Sequence, residues 1–397
     1  MLQNDLCLAS KPRYEILDGL RGVAAMMVIV FHCFETYIPL IGTQIINHGY
    51  LAVDFFFILS GFVIGYAYND RWNSMTTWGF FKRRLVRLHP MVVAGTLWGA
   101  ALFFFAAGNY FPAIIQTPAW KFGLCIWLAL LMIPCPTGLD IRGWSETNPL
   151  NGPNWSLTFE YIGNILYALI LRRLPVVVLG ILCLCSIFFT LDLTLGWDVF
   201  HLLPHGPQYT VIGGWSITPD QLYIGFTRLG YPFLCGLLLS RILPARMLPS
   251  NPGGSYMGIR GGFWWASIML VIIFSMPMIG RERGFADGLY QAVCIIVLFP
   301  VVVLVGAGSK TTDKRSKAWC ELLGAISYPL YITHYPLMYM QMAWVEQHKE
   351  APLWIHISVN VGVVLVSVCV AWAFLKLYDE PTRAWLTKKV LRRRQFL

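Results

Sequence analysis

Long apolar runs recur along the whole chain and are separated by short polar segments. A transmembrane helix needs ~20 predominantly apolar residues, because each residue adds ~1.5 Å and the hydrocarbon core is ~30 Å thick. The runs of about that length predict spans at residues 20–41, 49–68, 90–108, 155–171, 175–192, 221–240, 262–280, 286–306, 318–341 and 354–377.

A further apolar run, residues 120–134, has 15 residues and is closed by Pro134 and Pro136. Its length leaves two alternatives open, a full span or a re-entrant or interfacial segment. Basic residues help to decide, because Lys and Arg concentrate in cytoplasmic loops. With ten spans the basic blocks fall on one side, whereas an eleventh span moves every later block to the other side. These blocks are Lys11/Arg13, Lys82 to Arg87, Arg172/Arg173, Arg241/Arg246/Arg260, Lys310 to Lys317 and Lys388 to Arg394.

We therefore predict an all-α, polytopic membrane helix bundle with about ten transmembrane helices, both termini cytoplasmic, and residues 120–134 not crossing. The exception is the pair Arg281 and Arg283, which this topology places outside. We expect one membrane domain over residues 1–397, with a cytoplasmic N-terminal segment at 1–19 and a cytoplasmic basic tail at 378–397.

Composition argues against an ordinary soluble domain. Hydrophobic residues make up 57% of the chain and charged residues 13%, against about half and about a quarter in soluble proteins. The net charge of +10 does not indicate nucleic-acid binding, because the basic residues sit in short blocks between apolar runs. No C-x-x-C pair occurs among the ten Cys, so no metal or redox site is predicted. The first apolar run lacks a small-residue cleavage site, so we expect it to stay as a helix.

The first predicted helix carries Arg21 near its start and His32 deep within it. Eleven residues are close to three helical turns, so both side chains share one face and lie ~16 Å apart along the axis. This arrangement suits a donor with an anionic head and a long arm, such as a coenzyme A thioester, with His32 as the general base. The alternative is that Arg21 only follows the positive-inside rule and His32 only hydrogen-bonds a neighbouring helix.

Several segments resemble the acyltransferase-3 family of integral membrane acyltransferases. The opening LDGLRGVAAMMVIVFHCF carries Arg, ten residues, then His, as the family's first helix does. Further matches follow in family order over nearly the whole chain: YLAVDFFFILSGFVIGY at 50–66, FFKRRLVRLHP at 80–90, PNWSLTFE at 153–160, ISYPLYITHYPL at 326–337 and LYDEPTRAWL at 377–386.

The resemblance implies an enzyme of the plasma membrane that moves an acyl group, often acetyl, from cytoplasmic acyl-CoA to a hydroxyl group. The acceptor is usually a carbohydrate or glycolipid on the outer side. Neither a metal nor an obligatory protein partner is implied; the expected partners are the acceptor and the lipid bilayer, with no nucleic acid.

The segment FFKRRLVRLHP at 80–90, called here the basic motif, is then a candidate site for the phosphates of acyl-CoA. Arg84 and Arg87 are i,i+3 neighbours that can face one phosphate together, with Lys82 beside them and Arg21 contributing. The alternative is a role in topology and in contact with anionic lipids.

The remaining motifs supply candidates for the acceptor side. We predict that His32 and Glu160 are catalytic and place Glu160 at the outer end of its span, where it could also be a solvated helix-start carboxylate. Trp155 could stack on a sugar or anchor the interface, and His334 could be a second site histidine or an interhelical hydrogen-bonding residue. Glu35 could orient His32, although we favour a solvated position at the outer edge. The predicted substrate-binding residues are Asp54, Trp155, Ser156, Tyr331 and His334.

Two questions stay open from the sequence. Transfer could be direct or could pass through an acyl-histidine. A proton-coupled transporter of a polar metabolite is the alternative function, because polar residues inside a helix bundle also suit a carrier. Internal repeats and paired broken helices, which transporters often show, are not found in the sequence.

Overall fold

The computed structural model describes residues 11–37, 46–204, 206–243, 261–280, 284–311 and 313–391. These residues form helices and connecting turns, and no strand occurs among them. The main helices, numbered here in chain order, are α1 (Glu15–Glu35), α2 (Ala52–Tyr68), α3 (Thr77–Leu102), α4 (Ala119–Leu130), α5 (Asn154–Leu169), α6 (Val176–Thr194), α7 (Pro219–Ile242), α8 (Gly262–Ser275), α9 (Phe285–Gly308), α10 (Lys314–Thr333), α11 (Tyr335–Gln347) and α12 (Leu353–Leu391).

Seven of these helices are long and apolar enough to cross a membrane, which makes the chain a multi-pass membrane protein. They are α1, α2 with the turn before it, α3, α6, α7, α9 and α12. Among the other predicted spans, α5 has 16 residues and α8 has 14, which is shorter than a bilayer-crossing helix normally needs. Helix α10 has 20 residues, but its first turn is basic.

Glycines allow the central helices to approach closely. A Cβ at Gly61 of α2 would collide with the carbonyl oxygen of Phe233 in α7, and one at Gly236 of α7 would collide with that of Ile58 in α2. A Cβ at Gly22 of α1 would meet the backbone of Leu323 in α10. Helix pairs in membranes gain their stability from such close packing, because lipid offers no hydrophobic driving force between them. These contacts fix α1 against α10, and α2 against α7.

Several predicted boundaries need correction. Helix α1 begins at Glu15, so part of the segment predicted as a cytoplasmic tail at 1–19 is helical. Helix α3 begins at Thr77, where the Thr76 hydroxyl accepts a hydrogen bond from Gly79 N, so the basic motif lies inside a helix and not before one. The tail predicted at 378–397 continues α12 as far as Leu391. Residues 1–10, 38–45, 205, 244–260, 281–283, 312 and 392–397 lie outside the described part, and with them Arg246, Arg260, Arg281, Arg283 and the end of the basic block Lys388 to Arg394.

The prediction of one continuous helix over 318–341 is wrong, because the chain breaks at His334 between α10 and α11. Pro336 has no N–H group to donate to the carbonyl of Ile332, four residues earlier. That carbonyl instead accepts a hydrogen bond from Asn151 Nδ2 at 2.6 Å. The next carbonyl, of Thr333, accepts one from Trp98 Nε1 at 3.1 Å. The break therefore directs backbone groups of the helix toward side chains of other segments.

Helix α4 is the first arm of a hairpin. It has 12 residues, or ~18 Å of helix, and the chain then returns along it. Lys121 donates to the carbonyl of Asp140 at 2.7 Å, and Thr117 donates to that of Ile141 at 3.3 Å. Both ends of the hairpin thus lie at the same end of α4.

Candidate active site

His32 lies in the last turn of α1 with 17% of its side chain exposed. Its Nδ1 is 2.7 Å from Glu35 Oε2. A carboxylate only accepts, so Nδ1 carries the proton and Nε2 is left as the basic nitrogen. Glu35 therefore orients the imidazole, as the alternative to a solvated position suggested, although 38% of its side chain stays exposed. The two side chains meet because residues three apart share a helix face.

His334 is fully buried at the break between α10 and α11, and its ring stacks on that of His32 with 5.7 Å between centroids. Its Nδ1 lies 3.1 Å from the carbonyl oxygen of Leu330 and 3.0 Å from that of Tyr331, so Nδ1 donates. Its Nε2 is buried without a hydrogen-bond partner. The interpretation of His334 as an interhelical hydrogen-bonding residue is therefore wrong, since its bonds stay within its own chain segment.

Tyr331 packs beside His334 and connects it to Ser156. The Ser156 Oγ and Tyr331 Oη atoms are 2.7 Å apart, and the Tyr331 ring lies 5.9 Å from that of His334. Tyr335 packs edge-on against His32 with 4.8 Å between centroids. The sequence motifs thus bring four of the predicted site residues together: His32, Ser156, Tyr331 and His334.

Arg21 faces the same helix as His32 does. Its Nε donates to Ser327 Oγ at 2.9 Å, its Nη2 donates to the carbonyl of Gly324 at 3.3 Å, and Asp18 lies 3.2 Å away. Because Ser327 and Gly324 belong to α10 and His334 follows directly after it, Arg21 and His32 share one face of α1. The guanidinium of Arg21 and the imidazole of His32 are therefore aligned along the face of α1 that packs against α10.

Arg84 and Glu160 form an ion pair of 2.8 Å, and Ser60 donates to the same carboxylate oxygen at 3.1 Å. The sequence placed Glu160 at the outer end of its span and did not predict this contact with the basic motif. The contact forms because the turn that leads into α5 is buried, which brings the first turns of α5 in among the other helices. Glu160 and Arg87 also act electrostatically on Arg21, so the three arginines and Glu160 form one charged region, named here the cationic cluster.

The other basic residues of the motif are more exposed than Arg84. Arg84 is buried, whereas Arg87 is exposed, so the two do not present equivalent guanidinium groups. Lys82 is partly exposed and its Nζ lies 5.5 Å from the centroid of the Trp78 ring.

Asp54 is completely buried and paired with Arg228 at 2.7 Å, so it does not contact His32. Arg228 also donates to the carbonyls of Tyr50 and Gly213 and lies 5.2 Å from the centroid of the Trp155 ring. Trp155 is 7% exposed, so its interpretation as an interfacial anchor is wrong. This group forms a wall beside Ser156, the residue that follows Trp155.

Sequence reasoning missed a second charged group in the turn before α5. Glu146 accepts hydrogen bonds from Tyr339 Oη at 2.7 and 2.9 Å, and the guanidinium of Arg142 lies 3.4 Å from the centroid of the Tyr339 ring. Burial raises the pKa of Glu146 to about 7. The segment looked like an ordinary polar loop, and nothing in its pattern signals that it enters the bundle.

No group of three or more His, Cys, Asp or Glu side chains is placed to hold a metal ion in the part of the chain that the structure describes. The candidate ligands for a cofactor are instead the arginines of the cationic cluster. Three guanidinium groups around one region can bind phosphate groups, since guanidinium matches phosphate geometry.

A family model described as "Acyltransferase domain" matches residues 14–376 of the chain. Among curated relatives, "Protein 2 in picA locus" of Rhizobium radiobacter is 35% identical over 165 residues, which are 39% of this chain and 81% of that protein. A Staphylococcus aureus protein, provisionally named an O-acetyltransferase, is 21% identical over 369 residues, 91% of this chain. The acyltransferase MdmB of Streptomyces mycarofaciens is 30% identical over 173 residues, 41% of each chain.

The chain spans 56% of the length of the staphylococcal relative, somewhat more than half. No solved structure matches it.

Proposed function

Because the chain belongs to the acyltransferase family whose domain covers residues 14–376, we propose that it moves an acetyl or other acyl group from cytoplasmic acyl-CoA to a hydroxyl group. It is an acyltransferase for groups other than aminoacyl groups. The acceptor that we propose is a carbohydrate or glycolipid at the cell surface. The family match decides against the transporter alternative.

One observation carries this proposal. Two stacked imidazoles, His32 and His334, each have Nδ1 bonded to an acceptor and Nε2 available as a base. His32 lies on the face of α1 that also holds Arg21, and His334 stacks on it from the break between α10 and α11, beside Tyr331, whose hydroxyl meets that of Ser156. A base between a cationic region and a polar pocket is what acyl transfer to a hydroxyl needs.

The proposed binding site for the acyl-CoA donor is the cationic cluster. We propose that Arg21, Arg84 and Arg87 hold the phosphates of acyl-CoA, with Lys82 at the rim. Glu160, which we predicted as catalytic, is assigned here to hold Arg84 in place. An ion pair of this kind fixes the guanidinium and leaves its other N–H groups for a ligand.

The chemistry is an attack of the acceptor oxygen on the thioester carbonyl. His32 Nε2 takes the hydroxyl proton as the new C–O bond forms, and Glu35 stabilises the imidazolium. The C–S bond then breaks, and the proton passes to the leaving coenzyme A sulfur. In an acyl-histidine route the same bonds break and form in two steps. The acyl group first moves from the coenzyme A sulfur to His32, and the acceptor oxygen then takes it from His32. Trp155, Ser156, Tyr331 and His334 would line the acceptor pocket, with Asp54 holding its wall through Arg228.

We also propose ten spans with both termini cytoplasmic, in the plasma membrane, with one membrane domain. The hairpin of α4 supports this topology, because its two ends lie together and it need not cross. Helix α5 would cross together with the buried turn before it, and α8 together with the segment that follows it.

The direct test is binding and turnover of [1-¹⁴C]acetyl-CoA by the purified protein in lipid nanodiscs. We expect saturable binding of acetyl-CoA and a release of coenzyme A that requires an acceptor. Arg84→Gln should weaken binding ~10-fold or more, because a charge-assisted contact to phosphate is lost. Lys121→Gln, which changes a Lys outside the cluster, is the matched control.

Arg84→Gln leaves Glu160 unpaired and could act through folding. The double variant Arg84→Gln/Glu160→Gln removes both charges and separates the two causes, since it restores neutrality without restoring a phosphate contact. Wild-type protein that binds no acyl-CoA, or an Arg84→Gln variant with unchanged binding, contradicts the proposed donor site.

A further inference from the structure

The turn that leads into α5 contains three buried asparagines, Asn148, Asn151 and Asn154, which are 1%, 0% and 0% exposed. Both amide atoms of Asn148 and of Asn154, and Oδ1 of Asn151, are buried without a hydrogen-bond partner. Buried amides are normally hydrogen-bonded, because an unpaired one loses water without compensation. So many open amide atoms in one turn indicate a site built for a polar molecule.

Hydrogen bonds to neighbouring segments fix the position of this turn, and with it the positions of the amide groups that have no partner. Asn151 Nδ2 donates to the carbonyl of Ile332, and Gly152 N donates to Tyr339 Oη at 3.1 Å. A substituent on Gly152 would touch Tyr335, the ring that packs on His32. The asparagines therefore border the residues that surround the histidine pair.

We propose that Asn148 and Asn154 bind the acceptor through two neighbouring hydroxyl groups, such as those of a sugar ring. An asparagine amide presents the acceptor Oδ1 beside the donor Nδ2, so it can accept from one hydroxyl while it donates to the next. Sites that hydrogen-bond a substrate hydroxyl discriminate strongly against molecules that lack it. The assignment rests on the proposed function, since it identifies the acceptor contacts of the same site.

The first experiment separates acceptor binding from donor binding. Asn148→Ala and Asn154→Ala are compared with wild type in nanodiscs, with an envelope extract from a strain lacking this gene as acceptor and [1-¹⁴C]acetyl-CoA as donor. We expect alkali-labile label in the extract to fall ~10-fold or more, because two hydrogen bonds per amide are lost. Binding of acetyl-CoA should stay within ~2-fold of wild type, since the cationic cluster is intact.

Asn164→Ala is the matched control. Asn164 is also a buried asparagine, 2% exposed, with an open Oδ1, but it lies well inside α5 and not at its start, and its Nδ2 donates to the carbonyl of Glu160 in the same helix at 2.6 Å. We expect this variant to keep its transfer activity. Unchanged transfer in both turn variants overturns the proposal. Loss of folded protein or of acetyl-CoA binding in both also overturns it, because the amides would then serve the fold.

A second experiment tests the hydroxyl pattern. The extract is treated with periodate, which cleaves bonds between carbons that bear adjacent hydroxyls, and then quenched before the assay; a sample given pre-quenched periodate is the control. We expect wild-type protein to lose most of its acceptor activity in the treated extract. Full activity after treatment contradicts the adjacent hydroxyl groups. A wild-type protein that binds no acetyl-CoA and labels neither extract would instead contradict the proposed function itself.

Discussion

At the scale of single residues, Glu146 is a carboxyl group whose charge changes near neutral pH. Burial raises its pKa from an ordinary 4.5 to about 7. The folded protein then binds more protons than the unfolded chain between those two values, so this group's contribution to stability falls as pH rises through that window. Each unit of difference corresponds to about 1.4 kcal/mol.

Glu146→Gln should remove this pH dependence, because the amide keeps an oxygen for the Tyr339 hydroxyl but does not titrate. The measurement is the thermal midpoint in detergent at pH 5 to 8, compared between wild type and variant. If the thermal midpoint of the wild type rises from pH 5 to pH 8 and that of the variant rises by the same amount, Glu146 does not titrate in this range.

The pair Asp54–Arg228 is a second residue-scale feature, because neither charge reaches solvent. Asp54→Asn should destabilise the protein by ~3–5 kcal/mol, since it leaves a buried guanidinium without its counter-charge. Asp70→Asn is the control: Asp70 pairs with Lys11 but is 64% exposed, so its loss should cost under ~1 kcal/mol. Thermal unfolding of the wild type, Asp54→Asn and Asp70→Asn measures the loss of stability in each variant. Equal destabilisation by the two substitutions would show that the pair is not shielded from water.

At the scale of helices, apolar run length located the centre of most spans but not their ends. Helix α3 extends back to Thr77 through the basic motif because a capped helix tolerates charges that a hydropathy window does not. The break at His334 was not predicted, although Pro336 offered a signal, since proline often kinks membrane helices without ending them. Whether a kink becomes a break depends on partners such as Asn151 and Trp98, which sequence does not bring together.

The α4 hairpin can be tested with its own cysteines. The Sγ atoms of Cys125 and Cys135 are 3.7 Å apart, although ten residues separate them. We expect copper phenanthroline and oxygen to link them into a disulfide in native membranes, as peptide mass spectrometry would show. Cys135→Ser should abolish that linked peptide. Repeated failure to link the pair, or linkage of Cys125 to a distant cysteine, contradicts a returning hairpin.

At the scale of the whole molecule, the sequence motifs predicted the histidine group but not the depth of its neighbours. His32, Ser156, Tyr331 and His334 come together because each lies on a helix or helix end whose motif could be recognised. The depth of Glu160 depends on a buried turn at the start of α5, and that burial is a tertiary effect. The asparagines of the same turn and the Glu146–Tyr339 contact escaped prediction for the same reason.

In the proposed mechanism, the donor and the acceptor approach one base from two different directions. The cationic cluster lies toward the start of α1, and the asparagine turn lies beside the end of α1 that holds His32. Separate approaches allow a charged donor and a polar acceptor to meet inside a bundle without either crossing it completely. In the proposed mechanism, His32 therefore acts on the acceptor and is not needed to bind the donor.

The most direct test is to measure acetyl transfer and acetyl-CoA binding on the same preparations of wild type, His32→Ala and His356→Ala. His356 is another buried histidine, hydrogen-bonded to Tyr37, with no place in the proposed chemistry. We predict that His32→Ala lowers transfer ~10²–10⁴-fold while acetyl-CoA binding is kept, because a general base is lost, and that His356→Ala retains transfer. Transfer by His32→Ala at a rate close to that of wild type would contradict the account.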